Sequence, residues 1–149
     1  MINPIKMIGG YSILMVAIIG TQVGFYAFSP SSFWFKYSSV KVIGYVAPGE
    51  PISAISEVER YRKTHMAYND VLRCDLDGSG FQYYSQYKSD WLSGGPSEGV
   101  IVSRWKYHGA VPETGKCYIR SATSAMGIFG VLSQPDIQES NVFTIGEIK

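Results

Sequence analysis

Motifs that carry chemistry are scarce in this sequence. It has two histidines, His65 and His108, and neither stands at metal-ligand spacing from another histidine or from a cysteine. There is no P-loop or dinucleotide-binding fingerprint, and we expect no nucleophilic serine of the Gly-x-Ser-x-Gly type. The carboxylates show no acid–base pairing that a linear sequence can reveal. We therefore predict no catalytic residue, no metal site and no cofactor, and a protein that is not an enzyme.

An excess of charge of one sign is also lacking. The chain has 13 Lys and Arg against 12 Asp and Glu, and only Lys6 precedes residue 36. A nucleic-acid-binding protein needs a basic excess, so we predict no nucleic-acid partner. A neutral domain also has little electrostatic reason to approach an anionic membrane. We interpret one basic group as a solvated strand edge, and its members alternate with Glu57 and Glu59: Arg60, Arg62, Lys63 and His65.

No charged residue occurs between Met7 and Phe28. A transmembrane helix needs about 20 predominantly apolar residues, so this run predicts one. A cleaved signal peptide has a shorter apolar region and a small-x-small cleavage site. The nearest such site, Ala27-Phe28-Ser29, is followed by Pro30, and we favour a retained single-pass anchor. The lipid bilayer is then a predicted partner.

The predicted orientation places the N-terminus in the cytoplasm and the C-terminal domain outside. Lys6 and the α-amino group precede the span, whereas the first base after it is Lys36, and positive charge favours the cytoplasmic side. We divide the chain into residues 1–35 (tail, helix and interfacial aromatic segment) and residues 36–149, a β domain. The interfacial segment holds Phe33, Trp34 and Phe35, with Tyr37 following it, and we expect the connection at 29–32 to be the weakest link.

Small residues recur along one face of the predicted helix. At alternating spacings of three and four, the face (hereafter the seam) comprises Gly10, Ile13, Ala17, Gly20, Gly24 and Ala27. It includes Gly20-x-x-x-Gly24, a spacing that allows the backbones of membrane helices to approach closely. The alternative is that Gly and Ala are simply common in membrane helices. The seam predicts self-association or a protein partner.

The residues Gly10-Tyr11-Ser12-Ile13-Leu14-Met15 resemble the N-terminus of a type IV pilin, in which an aromatic residue follows the processing glycine. Pilins carry a glutamate at the fifth mature position, where this chain has Met15. Pro30 would also interrupt the long helix that pilins use. The resemblance implies an alternative function, a filament subunit with a hydrophobic assembly helix.

The chain has two cysteines, Cys74 and Cys117, and both follow the apolar run. An even number of cysteines beyond a membrane segment predicts one disulfide in an oxidising compartment. The alternative is two buried thiols. A disulfide between them would close a loop of roughly 44 residues, and the chain-entropy model gives about 4 kcal/mol of stabilisation for such a loop.

Strand and turn signals dominate the remainder of the chain. We predict strands at 40–46, 67–76, 81–88, 100–107 and 141–148, with another beginning near Cys117 and a short apolar run at 127–132. Residues 52–63 suit either a helix or a strand, and we choose a strand because their neighbours are β. Seven or eight short strands separated by turns predict a β-sandwich.

Residues 111–121 (VPETGKCYIRS) combine a Pro-x-x-Gly turn with a strand that has Tyr118 near its start. This pattern resembles the entry to a late strand of immunoglobulin-like and fibronectin-like sandwiches. The resemblance implies an immunoglobulin-like fold in which Cys117 lies near the strand of Cys74. No cysteine occupies the second strand, so the disulfide is expected to lie within one sheet.

An aromatic group follows the turn at 77–80. Such residues either bind a partner or fill the core and pair across strands, and we favour the core. The candidate partner surface comprises Tyr83, Tyr84, Tyr87 and Trp91.

A short inner tail, one span and a small immunoglobulin-like outer domain with one disulfide resemble small single-span proteins of bacteriophages and prophages. The resemblance implies a membrane-anchored structural or interaction protein, associated with a virion or with the envelope of an infected cell.

Overall fold

The computed structural model describes residues 4–78, 80–127 and 130–146 and, within them, the side chains outside 4–10, 83 and 85–93. A helix and a 3₁₀ turn precede eight strands in this part of the chain. They are α1 (Pro4–Phe28), the 3₁₀ turn (Ser31–Phe33), β1 (Phe35–Val42), β2 (Ile52–Arg60), β3 (Thr64–Asp75), β4 (Gln82–Gly94), β5 (Ile101–Tyr107), β6 (Gly115–Met126), β7 (Asp136–Glu139) and β8 (Phe143–Ile145).

The helix α1 ends at Phe28 because Pro30 follows. Proline disfavours a helical conformation at the preceding residue, and its ring has no N–H to donate. The 18 residues Tyr11–Phe28 are long and apolar enough to cross a membrane, and none of them is buried within the monomer. The apolar helix predicted at the N-terminus is confirmed.

The strands form two antiparallel sheets that pack as a sandwich. One sheet has the order β1-β2-β5 and the other β4-β3-β6-β7, with β8 also pairing with β6. The predicted fold class, an N-terminal helix followed by a β-sandwich, is confirmed.

The ambiguous segment 52–63 contains a strand, as predicted. Along β2, Ser53, Ile55 and Glu57 are partly exposed, and they alternate with buried residues: Ile52, Ala54, Ser56 and Val58. This period of two is the pattern of a sheet with one face on the core. The charged residues that suited a helix, among them Glu57 and Glu59, lie on the outer face of β2.

Several predicted strand boundaries were wrong. The first strand was expected at 40–46, but β1 begins at Phe35 and ends at Val42, and Gly44 then takes a left-handed φ of 76°. β4 extends to Gly94, beyond the predicted end at residue 88. The short strand β7 was not predicted, and β8 covers only part of 141–148. The predicted apolar run at 127–132 includes positions 128 and 129, which lie outside the described residues.

The aromatic segment after the helix does not form an interfacial belt as predicted. Phe35 and Tyr37 point inward from β1 and are fully buried in the sandwich core, and Trp34 is buried beside them. The reason is the alternation of β1, which places every second side chain between the sheets. Phe33 is only partly buried. The sandwich therefore includes Phe35, the residue we had placed last in the N-terminal segment.

The sandwich core consists of two hydrophobic clusters. The cluster far from the helix includes Ile52, Leu72 and Ile119, and the cluster near the helix includes Phe35 and Met66. Between them, each of the three central strands contributes a polar residue to the interior: Ser56 from β2, Asp70 from β3 and Ser121 from β6.

Candidate functional site

Four aromatic side chains join the helix to the sandwich, and we call them the collar: Phe25, Tyr26, Phe33 and Trp34. Tyr26 stacks on Trp34 with ring centroids 4.6 Å apart and planes at 11°. Phe25 meets Phe33 and Trp34 edge to face, at 5.4 and 5.8 Å. Edge-to-face and stacked pairs each add stabilisation beyond the apolar area they bury. The last turn of α1 is thus packed against the base of the sandwich.

Hydrogen bonds at Ser29 reinforce the collar. The Trp34 Nε1–H donates to Ser29 Oγ at 2.9 Å, and Ser29 Oγ donates to the Tyr26 carbonyl at 3.1 Å. The Gln134 N–H donates to the Ser29 carbonyl at 3.1 Å. Ser29 and Ser31 are both buried. The connection at 29–32, which we expected to be the weakest link, is hydrogen-bonded at Ser29 to the helix, to Trp34 and to Gln134, while Pro30 and Ser32 are exposed.

Gly127 provides the surface on which Tyr26 rests. A Cβ atom added at Gly127 would collide with the ring of Tyr26. The segment after Gly127 returns to the sheet, where the Ser133 N–H donates to the Ala125 carbonyl at 2.8 Å. Glycine at this position lets the end of the helix approach β6 closely.

The turn between β2 and β3 is attached to the same place. We call it the basic turn, and it comprises Tyr61, Arg62 and Lys63. The backbone N–H groups of Tyr61 and Arg62 donate to the Trp34 carbonyl, at 2.9 and 3.2 Å. The Arg62 guanidinium lies 3.5 Å above the centre of the Phe33 ring and donates to the Phe33 carbonyl. Sequence reasoning treated this basic group as a solvated strand edge and missed its position beside the helix.

A buried polar layer crosses the middle of the sandwich. It comprises the Tyr37 hydroxyl, Ser56, Asp70, Ser121 and Thr123, all buried between the sheets. Asp70 and Ser121 lie directly opposite each other in the β3–β6 pairing. Within the described part of the chain, at least one oxygen of each residue makes no hydrogen bond of good geometry. The layer interrupts the hydrophobic core at the level of Asp70.

Burial dominates the ionisation of this layer. Desolvation raises the pKa of Asp70 to about 6, and the Ser121 hydroxyl offsets part of that rise. Desolvation likewise raises the pKa of Tyr37 to about 12, although the hydroxyls of Ser121 and Ser56 favour its ionised form. Asp70 is only 2% exposed, so substrate has no access to its carboxyl, and its effect is on stability. In the sequence, burial of Asp70 could have been predicted from the alternation of β3, in which Asp70 occupies an inward-facing position.

The predicted disulfide is present. Cys74 of β3 and Cys117 of β6 are directly opposite in the register and bonded, with Cα atoms 4.1 Å apart. Both are fully buried in the cluster far from the helix. The bond lies within one sheet, as the immunoglobulin-like resemblance implied for this arrangement of cysteines.

The seam of small residues is open along the described part of α1. A Cβ atom added at Gly20 or Gly24 would meet nothing within 4 Å. Ile13 and Ala17 are exposed and Ala27 is partly exposed, whereas the Gly10 end of the seam lies outside the described side chains. The collar uses neighbouring positions of the helix, so the sandwich leaves the seam accessible to another helix.

Of the predicted aromatic partner surface, only Tyr84 has a described side chain. It is partly buried and packs against the core cluster that contains the disulfide. The side chains of Tyr83, Tyr87 and Trp91 lie outside the described residues.

Contrary to our expectation, the sequence does contain the Gly-x-Ser-x-Gly spacing, at Gly95-Pro96-Ser97-Glu98-Gly99. A nucleophilic serine of this type sits on a turn from a strand into a helix. Here the turn joins β4 to β5. Ser97 Oγ accepts from the Arg60 N–H at 2.9 Å and donates to the Gly99 carbonyl at 2.7 Å. These bonds give Ser97 a structural role in the loop.

Two surface grooves accompany these features. One of about 500 Å³ lies at the end far from the helix, beside Asp75, Lys116 and Thr144. The other, of about 520 Å³, lies over β3 and β6 beside Asn69, Ala122 and Leu132. Within the described residues, no group of three or more His, Cys, Asp or Glu side chains is placed to hold a metal ion.

No protein-family model matches this chain, and no curated protein matches it.

Proposed function

We propose that this protein is a non-enzymatic, single-pass membrane protein that presents a small β-sandwich outside the membrane to a partner. The observation that carries the proposal is the packing of an exposed apolar helix directly against the base of a compact, disulfide-bonded domain. Such an arrangement anchors the domain and fixes its orientation in the same structure.

The exposed surface of α1 supports membrane insertion. Ile13, Val16 and Phe28 are 73%, 72% and 80% exposed in the monomer. Soluble monomers seldom expose a continuous apolar surface of the size that this helix presents. Eighteen helical residues span roughly 27 Å, close to the thickness of the hydrocarbon core of a bilayer.

The collar supports retention of the helix in the mature protein. Tyr26 covers Trp34, and Ser29 accepts the Trp34 Nε1–H. Cleavage near residues 27–29 would remove Tyr26 and expose part of the near-helix cluster of the core. A cleavable leader has no such role in the folded domain.

The proposal also includes the orientation of the protein in the membrane and its biological location. The buried disulfide supports an oxidising compartment for the sandwich, and we propose a cytoplasmic N-terminus on that ground. The overall layout supports a structural or interaction component of a bacteriophage virion or of an infected cell's envelope. Its partner would contact a sandwich face or loops, and the open seam would allow assembly within the membrane.

Membrane integration is tested by extraction of expressed full-length protein. We expect the chain to remain in the membrane pellet at alkaline pH and to be released by detergent. Its mass should include Met1, and it should increase by two hydrogens on reduction of the disulfide. Charging the helix with Val16→Lys and Ile19→Lys should shift the protein to the aqueous fraction, whereas Val16→Leu with Ile19→Leu should not.

Recovery of the unmodified chain in the aqueous fraction without detergent would overturn the anchor. Loss of the residues up to Gly10 together with sedimenting filaments would instead support the pilin-like alternative, in which the helix packs in a filament core.

A further inference from the structure

The basic turn lies at the depth where a membrane surface would meet this protein. Its backbone is bonded to the carbonyl of Trp34, and Trp34 packs on Phe25 and Tyr26 in the last turn of α1. Phe28, at the end of the helix, is 80% exposed. If α1 crosses the bilayer, its last turn marks the edge of the hydrocarbon, and the basic turn lies just outside it among the headgroups.

Positive charge is concentrated in this turn. Arg62 and Lys63 are exposed, His65 follows them, and residues 60–66 contain no acidic side chain. The Arg62 guanidinium is held in place by the Phe33 ring and carbonyl. A guanidinium restrained in this way retains free N–H donors in a planar arrangement that suits phosphate oxygens, and a neighbouring lysine adds a second charge.

Two glutamates lie near the turn in the structure, Glu59 and Glu98. Glu59 Oε2 accepts from the Tyr61 hydroxyl at 3.4 Å, and Glu59 lies opposite Lys36 in the β1–β2 register. Glu98 follows Ser97 in the loop that is bonded to the backbone of Arg60. Residues 130–135, beside Gly127, carry no charged side chain. Arg62 and Lys63 are exposed, so an anionic ligand has access to both of them.

We propose that the basic turn binds the phosphate of an anionic phospholipid in the leaflet on the sandwich side, and so draws the base of the sandwich onto the membrane surface. This inference rests on the proposed membrane anchoring, and it names the lipid class that the anchored protein prefers. Phe28 and Phe33 contact the adjacent acyl and glycerol region, while Arg62 and Lys63 contact the headgroup.

The test uses full-length protein reconstituted in nanodiscs of equimolar phosphatidylglycerol and phosphatidylcholine. Native mass spectrometry then counts the lipids of each class that remain bound after release. We expect the wild type to retain phosphatidylglycerol preferentially. The double substitution Arg62→Gln with Lys63→Gln should reduce that preference about thirtyfold, because each basic residue near an anionic membrane surface contributes an attraction worth roughly fivefold in affinity.

A matched control keeps the same change in net charge. Arg104 and Lys106 are exposed on β5 and lie opposite Ile55 and Ser53, towards the other end of β2 from the basic turn. Arg104→Gln with Lys106→Gln should leave the lipid preference unchanged. Circular dichroism and the presence of the disulfide verify that both double variants are folded.

Equal retention of the two lipids by the wild type, or an equal loss in both double variants, would overturn the inference. Either result in a protein that still resists alkaline extraction leaves the proposed anchoring intact. Failure of the wild type to integrate into membranes would overturn the anchoring itself.

Discussion

Asp70 is a carboxylic acid whose buried surroundings disfavour ionisation. Its carboxyl lies between the two sheets among Tyr37, Ser56, Ser121 and Thr123, and burial raises its pKa to about 6. A carboxylate buried among hydroxyls of poor hydrogen-bond geometry is less well solvated than in water, so the neutral form is favoured. The Tyr37 and Tyr68 hydroxyls are the neighbouring titratable groups, and burial raises the pKa of each of them as well.

Stability should therefore increase as this carboxyl is protonated. The folded state binds the proton more tightly than the unfolded state, so Asp70 favours folding most below about pH 4 and loses that contribution as the pH rises through about 6. For this group alone we expect the free energy of unfolding to fall by about 3 kcal/mol between those limits. Asp70→Asn should abolish that part of the pH dependence. Thermal unfolding in a non-ionic detergent at pH 4 to 7 measures it.

The control for Asp70 is Glu50→Gln, on the exposed loop between β1 and β2. This substitution removes a carboxylate of the same charge from a solvated position, and the pH dependence should remain that of the wild type. If the free energy of unfolding changed with pH equally in Asp70→Asn and in the wild type, Asp70 would not be the source of the pH dependence.

At the scale of secondary-structure elements, α1 has two separate roles on two faces. Tyr26 and Phe25 attach it to the sandwich, whereas Gly20 and Gly24 lie on the open seam. An apolar helix in lipid gains little from burying further apolar side chains, and close backbone packing at small residues is what favours association. The two roles are compatible because they use different positions of the helix.

Bulk on the seam should prevent helix–helix association. Gly20→Leu with Gly24→Leu fills the groove through which a second backbone would approach, and we expect oligomers in mild detergent to shift to monomers. Crosslinking followed by electrophoresis, or light scattering in detergent, measures the shift. Met15→Phe with Ile18→Phe adds bulk to the opposite face and should leave the oligomers unchanged. An unchanged oligomer size in the glycine variant would remove the seam from the proposal.

The strands β2 and β3 illustrate how tertiary context determines local structure. Glu, Arg and Lys in 52–63 suit a helix, but the inward alternation of Ile52, Ala54 and Val58 matches a sheet that covers a core. The end of β2 and the start of β3 then place the basic turn beside the helix, through hydrogen bonds to the Trp34 carbonyl. No local pattern in the sequence specifies that contact, since nearly thirty residues separate its partners.

At the scale of the whole molecule, the fold packs the last turn of the helix against the base of the sandwich. The collar and the Ser29 hydrogen bonds lie on either side of Pro30, and the basic turn is bonded to the carbonyl of Trp34 beside them. These contacts oppose independent motion of the sandwich about the end of the helix. The groove beside Asp75 and Lys116 lies at the end of the sandwich far from the helix.

Loosening these contacts should expose the connection to proteolysis. Gly127→Ala places a methyl group against the Tyr26 ring, and overpacking of this kind costs about 1–3 kcal/mol. This cost lowers the free energy of local unfolding at the connection, so the open form that chymotrypsin cleaves becomes more populated. We expect cleavage after Phe33 or Trp34 to be at least roughly five times faster than in the wild type. The control is Gly95→Ala, where the added Cβ meets nothing within 4 Å. Chymotrypsin should cut this variant at the wild-type rate. Equal rates in both variants would show that Tyr26 is not held by Gly127.

Patterns local to the chain were sufficient for the apolar helix, the sandwich class and the disulfide. A run without charge from Met7 to Phe28, period-two alternation and an even cysteine count each act over short distances or through simple chemistry. The collar, the polar layer around Asp70 and the position of Arg62 depended on tertiary structure. Each of them joins residues from separate elements, so their chemistry follows from which strands become neighbours, and that is settled only when the two sheets pack together.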